Sequence, residues 1–84
     1  VPNPFNPMTE INFEMEKAGP ARVSIYDVSG RLVVNLVNEQ LSGGPHVRVW
    51  QGRDGTGRQV PSGTYYLRME AGGRVDHRKI MLLK

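Results

Sequence analysis

Apolar and polar residues alternate over short stretches along most of this chain. Between residues 9 and 15, Ile11, Phe13 and Met15 fall on one face and polar residues fall on the other. A period of two residues is typical of a β-strand with one buried face. Similar stretches predict further strands at residues 21–27, 46–50, 63–71 and 75–83, and a nearly continuous apolar run predicts another at 32–37. No helical period persists for more than one turn.

Glycine, proline and aspartate residues separate these stretches and predict the turns between strands. Asp27 and Gly30 bound the turn that follows the second strand, and Gly72-Gly73 is typical of a two-residue hairpin turn. Short strands at this spacing predict an all-β domain, built either as a sandwich or as a barrel. No internal repeat is visible in the sequence.

Two strands contain a break in the alternation. Trp50 has the opposite parity to the valines of its strand, which predicts a bulge near Gly52 that turns the indole inward. Val75 has the opposite parity to Ile80 and Leu82, which predicts a change of register midway through the last strand.

Length and composition restrict the organisation of the chain. Its 84 residues are enough for one domain, which we place at 1–84 with residues 1–8 as an extended, proline-rich lead-in. Cysteine is absent, which excludes disulfides, thiolate catalysis and cysteine-based zinc sites. No apolar run is long enough to cross a membrane and no signal peptide is present, so we expect a fragment of a larger protein.

The net charge of +3 is concentrated near one end of the chain. Acidic and basic residues balance up to residue 67, and the excess lies in residues 68–84. Its basic members are Arg68, Arg74, Arg78, Lys79 and Lys84. Two interpretations stay open: charges that protect a solvated edge strand from aggregation, or a basic docking face.

Few residues offer catalytic or metal-binding chemistry. No nucleophile elbow or matched set of metal ligands is present, so we expect neither an enzyme nor a cofactor. Asp54 begins Asp-Gly-Thr-Gly, which makes it a weak calcium candidate because the repeated carboxylates of a calcium loop are missing. The alternative is a turn that Asp54 stabilises through its own side chain.

The aromatic residues are too few to cover a binding face as well as a core. We expect Trp50 and Tyr65 to pack in the core and Tyr66 to be exposed. The last hairpin has basic charge without interleaved aromatic residues, so we expect no nucleic-acid partner.

Motifs in a fixed order give the chain a recognisable pattern. It opens with Pro4, Phe5, Asn6 and Pro7, and its later motif positions are Asp27, Gly30, Trp50, Gly52, Asp54 and Gly57. Gly63 and Tyr65 follow, and the closing strand carries Lys79 and Lys84. Taken together, these motifs resemble the C-terminal sorting domains of the type IX secretion system, over essentially the whole chain.

This resemblance implies an immunoglobulin-like or fibronectin-III-like β-sandwich of about seven short antiparallel strands. It further implies a non-catalytic signal that directs an exported cargo across the bacterial outer membrane. Gly63, Tyr65, Lys79 and Lys84 would then be the sorting positions. The implied partners are the secretion machinery at the outer membrane and an upstream catalytic or adhesive domain. The implied location is the periplasm in transit, followed by the cell surface or the medium.

Two other functions remain open. The Trp-x-Gly-x-Asp-x-x-Gly and Ser-Gly-x-Tyr features also resemble the Ig-like domain of flagellar hook-capping proteins, which implies a structural module of a hook cap or another surface assembly. Exposed aromatic residues, Tyr66 and Trp50, would instead suit a carbohydrate-binding module of a secreted hydrolase.

Overall fold

The computed structural model describes residues 8–83, which form six antiparallel strands and no helix. The strands are β1 (Thr9–Met15), β2 (Gly19–Tyr26), β3 (Leu32–Leu41), β4 (Gly44–Trp50), β5 (Gly63–Ala71) and β6 (Arg74–Leu82). Residues 8–83 contain no helix that is long and apolar enough to cross a membrane. Of the lead-in predicted at residues 1–8, residues 1–7 lie outside the described part of the chain, and Met8 precedes β1 with 55% of its surface exposed.

The strands form two sheets that share one core. β3, β2, β5 and β6 form a four-stranded sheet in that order, and β1 pairs with β4. Alternate side chains of both sheets point inward, so the apolar face that each strand carries is buried against the other sheet. The core residues are Ile11, Met15, Ala21, Val23, Ile25, Val37, Leu41, Trp50, Tyr65, Leu67, Ile80 and Leu82. This arrangement confirms the all-β sandwich, with six strands where about seven were expected.

β3 is longer and less regular than its sequence pattern suggests. The predicted strand ends at residue 37, whereas β3 continues to Leu41 because the backbone of Asn38 and Gln40 still pairs with β2. Polar side chains on the solvent face do not interrupt a strand whose backbone has a partner. The register of β2 and β3 shifts after Val23 and again after Ile25. At each shift one strand has an extra residue, which changes the face that the following side chains occupy. The nearly continuous apolar run of β3 can therefore place its side chains on either face of the sheet.

The predicted bulge at the end of β4 is wrong. β1 and β4 pair in one unbroken register from Thr9–Trp50 to Met15–Gly44. Trp50 points inward by ordinary alternation, and the valines of its strand face solvent, with Val47 49% exposed. The alternation was therefore correct, and the assumption that the valines define the buried face was not.

The predicted register change in the last strand is also wrong. β5 and β6 pair without a shift from Gly63–Leu82 to Ala71–Arg74. Val75 is 46% exposed on the outer face, so it needs no change of parity to reach the core. The two-residue hairpin turn is confirmed, since Gly72 and Gly73 both have positive φ, as a type I′ turn requires.

Candidate functional site

Trp50 anchors the loop that carries most of the motif residues. It ends β4 and is 2% exposed. Its indole Nε1 donates a hydrogen bond to the carbonyl of Arg53 at 2.9 Å, so its polar atom has a partner within the loop. Its ring meets Tyr65 edge to face, with ring centroids 4.9 Å apart. This geometry is favourable for two aromatic rings and adds to the energy of burial.

Tyr65 holds the other end of the same loop. Its hydroxyl donates a hydrogen bond to the carbonyl of Pro61 at 2.6 Å. Burial raises the pKa of Tyr65, and the negative charge of Asp27 raises it further. A tyrosine that bonds backbone a few residues upstream fixes a corner in many β-sandwiches. Trp50 and Tyr65 thus secure both ends of the segment between β4 and β5, and their predicted burial is confirmed.

Asp54 organises the middle of this loop. Its Oδ1 accepts hydrogen bonds from the Thr56 amide at 2.9 Å, the Thr56 hydroxyl at 2.7 Å and the Arg58 amide at 3.0 Å. The amide of Gly57 bonds the carbonyl of Asp54 at 3.0 Å, and Gly57 has φ +90°. Asp54 is therefore the acceptor of a turn, which is the alternative to calcium binding that the sequence left open.

The turn after β2 repeats this arrangement. Asp27 Oδ1 accepts from the Ser29 amide at 2.9 Å, the Ser29 hydroxyl at 2.6 Å and the Arg31 amide at 3.1 Å. Gly30 bonds the carbonyl of Asp27 at 3.0 Å, as Gly57 does in the other loop. The two loops share the sequence Asp-x-Ser/Thr-Gly-Arg, so the expectation of no internal repeat was wrong at this short length.

The shared hydrogen bonds favour the ionised form of both carboxylates. The Ser29 hydroxyl and the Arg31 amide lower the pKa of Asp27, and the Thr56 hydroxyl and the Arg58 amide lower the pKa of Asp54. Within residues 8–83, no group of three or more His, Cys, Asp or Glu is placed to hold a metal ion. The hydrogen bonds observed for both carboxylates are those within their own turns.

A dependence of stability on acid follows from these two turns. Because folding lowers both carboxyl pKa values, their stabilisation is complete above the unfolded pKa of about 4 and is lost as the pH falls through the folded values. We expect the free energy of unfolding of the native chain to decrease as the pH is lowered below about 4. The double variant Asp27→Asn, Asp54→Asn should be less stable at neutral pH and should lose less on acidification. Urea unfolding at several pH values measures both effects. Parallel pH profiles for the two proteins would contradict this assignment.

Gly63 begins β5 in a conformation that other residues rarely adopt. Its φ is +146°, and a Cβ atom added there would meet no atom within 4 Å. Glycine is therefore required at this position by the backbone conformation and not by lack of space for a side chain.

We expect Gly63→Ala to lower the free energy of unfolding by about 1–2 kcal/mol, because alanine is strained at this φ. Gly19→Ala is the matched control, since Gly19 also has open space around its missing Cβ but no positive φ. The control should leave stability within about 0.5 kcal/mol of the native value or raise it slightly. Equal losses in the two variants, measured by urea unfolding, would show that φ is not the cause.

The last hairpin uses much of its basic charge internally. Arg68 pairs with Glu70 at 2.7 Å, and Arg74 approaches Glu16 at 3.9 Å. Arg78 Nη1 donates to the carbonyl of Asn12 on β1 at 2.9 Å. Together with the bond from the Thr9 hydroxyl to the carbonyl of Met81 at 3.0 Å, this contact partly covers the edge of β6 that the sequence suggested was open.

Those positions predicted for sorting that fall within residues 8–83 lie on different faces of the sheet. Gly63 and Tyr65 serve the corner before β5, whereas Lys79 lies exposed on the outer face of β6 opposite Tyr66. Gly52 lies in the Trp50 loop, where its carbonyl accepts from the Val60 amide at 2.9 Å. Pro4, Phe5, Asn6, Pro7 and Lys84 lie outside the described residues.

A groove of about 400 Å³ opens at the opposite end of the sandwich, beside the turn between β1 and β2. Phe13, Met15 and Met69 line it together with both acidic and basic residues. This mixed lining favours neither an anion nor a cation. None of the candidate residues lines this groove.

A solved structure and a family model that match this chain both relate it to FlgD. No curated protein matches this chain. Among solved structures, the crystal structure of FlgD from P. aeruginosa matches with a TM-score of 0.65 and 22% identity. That match covers 90% of this chain and 60% of the other, so it establishes a shared fold over part of the longer protein. The family model of the FlgD Ig-like domain matches residues 3–74, whereas the type IX sorting domain receives no support. This chain belongs to the FlgD Ig-like domain family.

Proposed function

We propose that this domain is a non-catalytic structural module of a flagellar hook-cap protein or of another exported surface assembly. The observation that carries the proposal is that the polar side chains of the motif form their hydrogen bonds within their own loops. Trp50, Asp54 and Tyr65 each spend their polar atoms on backbone within the corner between β4 and β5. Residues used in this way keep the shape of the corner constant.

Family membership supports the same function. The FlgD Ig-like domain is a structural family, which is compatible with the prediction that the chain is not an enzyme. Export of the parent protein belongs to this proposal, because the FlgD-like domain belongs to a family of exported hook-cap proteins. A sugar-binding function has less support, since Trp50 is 2% exposed and leaves Tyr66 as the exposed member of its predicted pair.

Deletion of residues 8–83 from the parent gene in its native host separates a structural function from a sorting function. A structural module predicts that the parent protein still leaves the cell while its assembly is lost. A sorting signal predicts that the parent protein accumulates in the periplasm. Cell fractionation locates the protein, and electron microscopy of the cell surface scores the assembly.

A milder variant protects this test from misfolding of the parent protein. Lys79→Ala combined with Lys84→Ala removes the two lysines that the sorting resemblance singles out, and Lys79 is exposed, so the fold should persist. We expect normal export from this variant. Periplasmic retention of the folded double variant would overturn the structural proposal.

A further inference from the structure

The two sheets present outer faces of opposite charge. The outer face of the two-stranded sheet, here called the acidic face, consists of Glu10, Asn12, Glu14, Pro45, Val47 and Val49. The outer face of the four-stranded sheet, here called the basic face, includes Arg22, Tyr66, Arg68, Glu70, Val75, Lys79 and Met81, with Leu32 at its edge. The faces lie on opposite sides of the sandwich because each sheet buries its other side in the core.

The charges that remain unpaired are equal in number on the two faces. Arg68 and Glu70 neutralise each other on the basic face, so its net charge comes from Arg22 and Lys79. Neither of these cations forms an ion pair within the described residues, and the same holds for Glu10 and Glu14. Each face therefore offers two like charges without an ion-pair partner among the described residues, although Glu10 accepts a hydrogen bond from the Asn12 side chain at 3.3 Å.

The spacing of these charges matches approximately. Glu10 and Glu14 lie four residues apart on one strand, which separates their Cα atoms by about 13 Å. On the basic face, Lys79 lies in the same cross-strand row as Tyr26, which is four residues from Arg22 along β2. Lys79 is also displaced sideways from Arg22, because β6 is two strands away from β2. The corresponding Cα separation is about 16 Å, which the long Arg and Lys side chains can span.

Exposed apolar side chains accompany the charges on both faces. Val47 and Val49 are 49% and 40% exposed beside the two glutamates. Tyr66 and Met81 are 43% and 49% exposed beside Lys79. Apolar area accompanied by charged groups is typical of an interaction surface rather than of a face that meets only water.

We propose that the occupant of each face is a second copy of this chain, with the acidic face of one copy on the basic face of the next. This inference deepens the proposed structural role by naming a partner, and it rests on that role for its setting in the cell. Because the contact joins different surfaces, each copy keeps one face free, and further copies can add to form a ring or a row.

Each contact is small. The strands of the acidic face have seven residues each, which gives a face about 23 Å long and two strands wide. The area of such a face is less than the roughly 800 Å² that each partner of a stable interface buries. The association of the isolated chain is therefore weak and sensitive to salt. Tethering within a larger assembly strengthens it by raising the local concentration.

Sedimentation velocity of the 84-residue chain from micromolar to millimolar concentration tests the proposal. We expect the average sedimentation coefficient to rise with concentration at low salt and to rise less at high salt. Glu10→Lys with Glu14→Lys makes both faces basic, and Arg22→Glu with Lys79→Glu makes both faces acidic. Each double variant alone should remain monomeric, and an equimolar mixture of the two should associate.

A control separates the faces from overall charge. Lys17→Glu with Arg31→Glu changes the net charge by the same amount as the basic-face variant, at exposed positions outside both faces. This control should associate as the native chain does, and circular dichroism should confirm that every variant is folded. A native chain that stays monomeric at millimolar concentration, or a mixture that fails to associate, would overturn the inference. The deletion test of the proposed function would be unaffected by either result.

Discussion

Replacement of Trp50 by alanine is expected to lower the free energy of unfolding by about 3–5 kcal/mol. The indole is 2% exposed, and its removal leaves a cavity between the two sheets. It also removes the edge contact with Tyr65 and leaves the carbonyl of Arg53 without its indole donor. A small domain has about 5–15 kcal/mol of total stability, so the variant should be close to unfolding at 37 °C.

Val49→Ala is the matched control for this prediction. Val49 precedes Trp50 on β4 but faces solvent, where it is 40% exposed. We expect a loss within about 0.5 kcal/mol. Urea unfolding followed by circular dichroism is the suitable measurement, because Trp50 is the single tryptophan and its removal abolishes indole fluorescence. A greater loss for Val49→Ala than for Trp50→Ala would mean that β4 has the opposite orientation.

The β4 comparison shows what a two-residue period can and cannot predict. The alternation correctly separates Trp50 from Val47 and Val49. It does not tell which set faces the core, because that depends on what the opposite sheet presents. Here His46 is on the inward side and stacks on Phe13, with ring centroids 5.5 Å apart, so the inward face of β4 is not its most aliphatic one.

Turns were more predictable than the pairing of strands. The residue types at Asp27, Gly30, Asp54 and Gly57 predict turns, since their hydrogen bonds are formed within five residues of chain. The repeat of Asp-x-Ser/Thr-Gly-Arg was present in the sequence, and a search for short motifs would have found it. The order of strands in each sheet depends on contacts between distant residues, such as Thr9 with Met81, and no local pattern predicts it.

The candidate functional residues also differ in whether local sequence or contacts between distant residues reveal them. Gly63 and Tyr65 were predicted as sorting positions, and that role stays a prediction. In the structure they lie at the corner before β5, where Gly63 has a positive φ and the Tyr65 hydroxyl bonds the carbonyl of Pro61. The acidic face was not recognised from the sequence, because Glu10 and Glu14 belong to a strand whose partner was unknown. Once β1 is paired with β4, the two carboxylates and the exposed valines form one surface.

Leu67→Ala is expected to lower the free energy of unfolding by about 2–5 kcal/mol. Leu67 is fully buried at the centre of β5, which lies between β2 and β6. It stands beside Ile25 of β2 in the register, on the face turned towards the other sheet. A cavity at this point lies far from any flexible end, so the neighbouring side chains can relax little to fill it.

Tyr66→Ala is the control, because it removes a larger side chain from the adjacent position of the same strand. Tyr66 is 43% exposed on the basic face, and we expect its loss to cost about 1 kcal/mol or less. Urea unfolding followed by the fluorescence of Trp50 measures both variants. A greater loss for Tyr66→Ala than for Leu67→Ala would mean that β5 is buried on the opposite face. The expected order would show that burial, and not side-chain size, determines the cost, and would leave a folded Tyr66→Ala variant for the association measurements.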